Sequence, residues 1–225
     1  MIETIDNIFQ LITTGTCTIV SMYNAARFKI RAWSMLGLFS GVFFLGLIYW
    51  FLFLLFYHHT PQYSYISDIC WYSSYLFLML LIIYIREDSS GPDAFPLKPD
   101  AGVVRIARTI RPVCWCVPVF TAAMCIFFMQ YGRYLSNIIA AVMMTGIIWH
   151  ALSGFLSLRD EGIFQNGHKA LYTVTLLFCA AEYALWTASC FFTGDTLANP
   201  YFWIDALLSA TFLLFIPALR KAVHV

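Results

Sequence analysis

The chain has 225 residues, of which 61% are hydrophobic and 11% charged, with a net charge of +1 and a mean hydropathy of +0.75. Soluble domains carry about 25% charged residues, so a water-soluble fold of this size could not hide so much apolar surface. No basic patch is present, which argues against a nucleic-acid partner. The composition predicts an all-α integral membrane protein whose main solvent is the lipid bilayer.

Seven apolar stretches approach or exceed the roughly 20 helical residues that cross a bilayer. The predicted spans are 6–26, 33–56, 63–85, 112–131, 135–157, 168–191 and 200–219. The segment 86–111 is rich in Gly, Pro and Asp and is predicted as a loop, with VVRIARTIR at its end as a candidate interfacial helix. The chain 1–225 is therefore expected to form one seven-helix transmembrane domain.

The positive charges predict how these spans are oriented. The segments 27–32, 86–111 and 158–169 and the tail after 219 hold twelve of the thirteen Lys and Arg residues, and Arg133 is the exception. Because short positive loops stay in the cytoplasm, the amino terminus is predicted outside and the carboxyl terminus inside the cell, with 86–111 cytoplasmic. The expected location is the cell membrane, as a multi-pass protein.

The first predicted span is the least apolar and carries a polar stripe. Its polar residues recur at steps of three and four, which places them on one helix face: Asp6, Gln10, Thr13, Thr14, Cys17, Ser21 and Asn24. Such a face must meet other helices or water rather than lipid. Two interpretations stay open, a lined cavity and hydrogen bonds between helices.

Four acids lie in or near the spans, all toward the predicted outer half: Asp6, Asp68, Glu182 and Asp205. An ionised side chain at the middle of a span costs about 2.5–3.5 kcal/mol on insertion scales, and such residues usually face the interior of the bundle. Apart from Lys169 at the margin of the sixth span, no Lys or Arg lies inside a span. Either the acids are neutral or hydrated, or a ligand, an ion or a proton supplies the countercharge. Helix capping by Asp68 and Asp205 is the alternative interpretation.

Aromatic residues share helix faces with two of these acids. An acid beside aromatic rings suits an organic cation, through charge and cation–π attraction, although Trp and Tyr also gather in interface belts. The predicted ligand-binding residues are Asp68, Trp71, Tyr72, Tyr75, Glu182, Trp186 and Asp205. Glu182 and His150 are candidates for a proton relay, against the alternative of a packing histidine.

The sequence offers little that is typical of an enzyme. It contains no GxSxG or HExxH motif and no recognisable metal-ligand spacing, so neither a catalytic residue, a metal site nor a cofactor is predicted. The seven cysteines are scattered through apolar stretches, which favours buried thiols over a disulfide framework.

The seven spans also fit a 3+1+3 arrangement, in which the single fourth helix lets two triplets run in the same direction. This outline resembles small sugar transporters, whose Pro-Gln motif is absent here. It also resembles seven-helix receptors and retinal proteins, but Lys221 lies beyond the last span, where it could not act as a Schiff-base lysine. No family is assigned.

The first hypothesis is a transporter with an outward-facing acidic and aromatic cavity for a small cationic or zwitterionic solute, with proton coupling as an option. A membrane sensor or receptor subunit that signals through a separate partner is the second hypothesis. The third is an intramembrane enzyme that acts on lipid through paired Asp68 and Asp205. The sequence leaves open whether the protein assembles with itself or with another membrane protein.

Overall fold

The computed structural model describes residues 2–57, 65–88, 101–131, 134–160, 166–192 and 194–223. Side chains are described for 2–57, 66–86, 114–131, 134–156, 167–192 and 194–223. Within these ranges the chain forms seven α-helices and no strand: α1 (Ile2–Phe28), α2 (Arg31–Tyr57), α3 (Tyr65–Asp88), α4 (Ala101–Met129), α5 (Tyr134–Asp160), α6 (Asn166–Phe191) and α7 (Pro200–Ala222).

Most of these helices have the length and composition of membrane spans. Five of them, α2, α3, α5, α6 and α7, are long and apolar enough to cross a bilayer, and α4 contains a shorter apolar stretch, Cys114–Met129. This confirms the predicted fold class, an all-α polytopic membrane protein. The side of the membrane on which each end lies stays a prediction.

α1 is too polar on average to join these five, yet its two faces are arranged as in a lipid-embedded helix. Its buried residues are almost all polar: Asp6, Asn7, Gln10, Thr13, Thr14, Cys17 and Ser21. Its outer face is apolar, with Ile5, Ile12 and Ile19 at 60–71% exposure. A helix that buries polar groups and exposes isoleucines is stable where the surroundings are hydrocarbon.

The helices pack as a ring of six with one helix outside. α1 contacts α2, α2 contacts α3, α3 contacts α5, α5 contacts α6, α6 contacts α7, and α7 returns to α1. α4 packs on α5. The ring thus divides into a first triplet (α1–α3) and a second triplet (α5–α7), which meet along an α3/α5 seam and an α1/α7 seam. This neighbour pattern is compatible with the 3+1+3 arrangement.

The beginning of α4 differs from the sequence prediction. Residues 101–111, predicted as part of the loop 86–111, belong to α4, which continues through Pro112 and Pro118. The candidate interfacial helix is thus continuous with the fourth span. Apolar residues at helical spacing extend the pattern backward from the span, which explains the difference. Residues 89–100 of the predicted loop lie outside the described residues.

A cluster of buried phenylalanines fills the middle of the ring. Phe39 and Phe43 of α2 meet Phe178 of α6 and Phe212 and Phe215 of α7, with ring centroids 4.9–6.4 Å apart. Each of these side chains is at most 6% exposed. The cluster, called the aromatic core below, therefore joins the two triplets through apolar contacts.

Charge is divided between the two ends of the bundle. α1, α3 and α7 end, and α2 and α6 begin, at a basic end whose described cations are Arg27, Lys29, Arg31, Arg86, Lys169, Arg220 and Lys221. The opposite, acidic end carries Glu3, Asp6, Asp195 and Asp205. There the Glu3 amide donates to Asp195 Oδ1 (3.1 Å), which ties the α6–α7 loop to the first turn of α1.

Candidate functional site

Two buried aspartates meet across the α1/α7 seam. Asp6 and Asp205 are 8% and 3% exposed, and their side chains are hydrogen-bonded to each other. Gln10 Nε2 donates to Asp205 Oδ2 and also to Asp6 Oδ2, the latter at 3.3 Å. Tyr201 is a further side-chain partner of Asp205. Because ionised carboxylates only accept hydrogen bonds, direct contact between the two carboxyls requires a proton on one of them.

Helix geometry explains how the sequence builds this contact. Asp6 and Gln10 are four residues apart on α1, as are Tyr201 and Asp205 on α7, so each pair shares one helix face. α7 begins with Asn199 as its N-cap, whose Oδ1 accepts from the Tyr201 amide at 2.9 Å. The capping interpretation of Asp205 is therefore wrong, since Asp205 lies more than one turn inside the helix.

Glu182 of α6 interacts electrostatically with Asp205 of this pair. It is 2% exposed, and its carboxyl interacts with the Tyr75 hydroxyl of α3. Its Oε1 is buried without a hydrogen-bond partner among the described residues. Glu182 also interacts electrostatically with Asp205 and Tyr201, so the two carboxyl sites share one polar interior. This interior, called the acidic core below, consists of Asp6, Gln10, Tyr75, Glu182, Tyr201 and Asp205.

The predicted aromatic stripe of α3 divides between two neighbouring helices. Trp71 packs on α2, with ring centroids 6.2 Å from Phe43 and 6.0 Å from Trp50. A Cβ added to Gly46 would lie 3.0 Å from Trp71 Nε1, so this glycine permits the close packing. Tyr75 instead faces α6. The stripe is wide enough to face two neighbours, and sequence spacing does not tell which residue faces which.

The remaining predicted site residues have varied surroundings. Asp68 lies in the first turn of α3 and is 9% exposed, and Tyr72 is half-buried against the hydrophobic core. Trp186 turns toward α4, with its ring centroid 5.9 Å from that of Phe128, and packs 5.4 Å from its α6 neighbour Tyr183. Of the seven predicted ligand-binding residues, the described contacts join Tyr75, Glu182 and Asp205. The enzyme hypothesis paired Asp205 with Asp68, whereas the described carboxyl partner of Asp205 is Asp6.

His150 lies in a different environment from its proposed relay partner. Its Nδ1 is 3.4 Å from Arg86 Nη1, in the half of the bundle nearer the basic end. Glu182, by contrast, lies toward the acidic end with Tyr75. A relay between His150 and Glu182 stays a prediction. The described polar contact of His150 is with Arg86, whereas that of Glu182 is with Tyr75.

Three members of the acidic core were not predicted as site residues: Asp6, Gln10 and Tyr201. The i, i+4 spacing of Asp6 and Gln10 within the polar stripe was a usable signal, but it does not reveal the partner helix. The described residues hold no group of three or more His, Cys, Asp or Glu side chains suited to a metal ion.

Comparison of the chain with protein-family models, curated proteins and solved structures found no match.

Proposed function

We propose that the protein is a membrane transporter that binds a small cationic or zwitterionic solute in the acidic core. One observation carries this proposal: three carboxyls are buried in the bundle, with Asp6 in contact with Asp205 and Glu182 interacting electrostatically with Asp205. The four helices that supply the acidic core carry Lys and Arg only in their terminal turns at the basic end. A bound cation would provide the positive charge that these four helices do not place near the carboxyls.

The surroundings of Glu182 favour a cation as the ligand. A buried acceptor without a donor is costly, at about 1–3 kcal/mol, and a donor from a bound water or a ligand would remove that cost. An ammonium group of the solute would donate to Oε1, while the rings of Tyr75 and Tyr201 would offer cation–π contacts. A quaternary ammonium group would lack the donor but keep the charge attraction and the ring contacts.

The position of the acidic core favours transport over a fixed binding site. Asp6 and Tyr75 belong to the first triplet, whereas Glu182, Tyr201 and Asp205 belong to the second. Sites between two halves of the bundle are typical of transporters that move one half against the other. Relative movement of the triplets would expose a solute held between them, with the aromatic core as the apolar barrier beneath.

Uptake by reconstituted vesicles tests the proposal. Probes are methylammonium, choline, tetraethylammonium and the zwitterion glycine betaine, with 3,3-dimethylbutan-1-ol as the neutral isostere of choline. We expect saturable uptake of at least one charged probe and none of the neutral isostere. Glu182→Gln should weaken that uptake by about 30-fold or more, because removing one partner of a buried charge pair costs about 2–5 kcal/mol.

Asp195→Asn is the matched control. Asp195 is a fully exposed acid at the same end of the bundle, and the asparagine keeps an oxygen for the Glu3 amide. Uptake by this variant should equal that of the unmodified protein. Equal uptake by Glu182→Gln, or uptake of the neutral isostere at the same rate as choline, would contradict the proposal.

A further inference from the structure

We infer that Asp6 and Asp205 share a single exchangeable proton across the α1/α7 seam, and that the transported cation displaces it. The second half of this inference rests on the proposed function. The first half, the one-proton site, is independent of it and assigns a role to Asp6 and Gln10.

The contacts of Asp6 and Asp205 favour one negative charge on the pair over two. The two carboxyls are hydrogen-bonded to each other, and the shared donor from outside the pair is neutral, the amide of Gln10. The other titratable groups that interact with the pair are Glu3 from α1, Glu182 from α6 and Tyr201 from α7. α2, which also packs on both α1 and α7, has no charged residue between Arg31 and its end at Tyr57.

Among the described residues, every titratable group that interacts with the pair is therefore an acid. Two like charges in hydrogen-bonding contact disfavour double ionisation, so one proton stays with the pair until a positive charge replaces it. Gln10 fits this state well, because its amide group supplies a donor to each carboxyl whichever of them is ionised.

Glu182 supplies the second, independent observation. Its Oε1 is buried and unpartnered among the described residues, and its carboxyl interacts with Asp205. A cation bound at this oxygen would stabilise the ionised form of Asp205 and so release the shared proton. By linkage the reverse also holds: a proton on the pair weakens cation binding by the same factor. One positive charge enters as another leaves, and the charge of the interior is unchanged.

The pair also crosses the boundary between the triplets, because Asp6 belongs to the first and Asp205 to the second. Loss of the shared proton without a replacement would set two negative charges against each other across the seam. Protonation or cation binding would thus hold the acidic end of the seam together. Binding of a proton or a cation at the pair would therefore be coupled to the relative movement of the two triplets.

Infrared difference spectra of the purified protein in lipid, between low and high pH, test the proton site. A protonated carboxyl gives a C=O stretching band that shifts in heavy water. We expect one such band to be lost in both Asp6→Asn and Asp205→Asn, because either substitution removes the sharing partner. The same band should remain in Glu182→Gln and Asp195→Asn.

The decisive criterion is that Asp6→Asn and Asp205→Asn lose the same band. A band that survives in Asp6→Asn or in Asp205→Asn belongs to one residue alone and overturns the inference, as does its absence from the unmodified protein. Asparagine is nearly isosteric with aspartate and donates to the remaining carboxylate, and size-exclusion chromatography verifies the fold. If only one of the two variants folds, its spectrum alone decides, because each is expected to lose the band.

The two proposals can fail separately. A protein that shows the shared band but takes up no charged probe keeps the proton site and loses the proposed function. Uptake of a charged probe without the shared band keeps the function and removes the proton site. Displacement is tested by adding the transported probe to weakly buffered protein, where proton release is expected from the unmodified protein and not from Asp6→Asn.

Discussion

The contact between Tyr75 and Glu182 can be tested by removing each polar group alone and both together. The variants are Tyr75→Phe, Glu182→Leu and the double variant. Both side chains are at most 2% exposed, and their interaction joins α3 of one triplet to α6 of the other. The measured quantity is the free energy of unfolding, and the effect of Tyr75→Phe is compared in the two backgrounds.

The structure sets the sign of each effect. In the unmodified protein, Tyr75→Phe removes the hydroxyl that interacts with Glu182, and polar contacts of this kind between membrane helices are worth about 0.6–1.7 kcal/mol. In the Glu182→Leu background the same change removes a hydroxyl that has already lost its acceptor. It should then be neutral or stabilising, because replacing both partners by apolar groups leaves no buried polar atom at this contact. The expected coupling energy is about 1–3 kcal/mol.

Thermal or denaturant unfolding in detergent, followed by circular dichroism, measures these differences. For a chain of this size 1 kcal/mol corresponds to a shift in Tm of about 2–4 °C. Phe215→Leu in both backgrounds is the control, because Phe215 packs in the aromatic core on α7 and its described ring contacts are with Phe39 and Phe178. This control substitution should lower the free energy of unfolding by a similar amount in the unmodified and Glu182→Leu backgrounds. Equal effects of Tyr75→Phe in the two backgrounds would show that the two side chains do not interact.

Three further predictions concern packing, backbone strain and orientation. Gly167→Ala is expected to lower the free energy of unfolding by about 1–3 kcal/mol, because an added Cβ would overlap the Lys221 carbonyl. Gly194→Ala is the control in the same unfolding assay: the atom nearest to its added Cβ is 3.8 Å away, so this substitution should be tolerated. Lys29 has φ 56°, a backbone conformation in which a Cβ is unfavourable. Lys29→Gly should therefore raise the free energy of unfolding by about 1 kcal/mol, whereas Lys29→Ala should leave it unchanged. Equal free energies of unfolding for the two variants would contradict this prediction. Cysteines placed at 29 and 195 should react with an impermeant reagent from opposite sides of sealed vesicles, and labelling from one side would refute the predicted orientation.

Helix number and type were predictable because lipid imposes a simple requirement, a long apolar stretch with internally satisfied backbone hydrogen bonds. The second span was predicted at 33–56 and the structure has α2 at Arg31–Tyr57. The polar stripe of the first span also correctly indicated the buried face of α1. For that helix the polar residues themselves mark the side that lipid does not cover.

The partners of these faces were not predictable. Gln10 and Asp205 are 195 positions apart, and nothing local to either residue specifies the other. For apolar faces the difficulty is greater, because lipid tails are as apolar as leucine and a helix face gives no sign of whether protein or lipid covers it. This is why the position of α4 outside the ring, and the turn of Trp186 toward it, did not follow from the sequence.

The distribution of contacts between the triplets bears on how a solute would pass. Toward the acidic end the described side-chain contacts include ionisable groups, with Gln10 and Asp6 on Asp205, and Tyr75 on Glu182. In the middle they are apolar, between Phe39 and Phe43 and the second triplet. Apolar packing does not change with charge, whereas the acidic-end contacts do. Titration of the acidic core would therefore loosen one end of the ring while the aromatic core stays closed, as a stepwise passage requires.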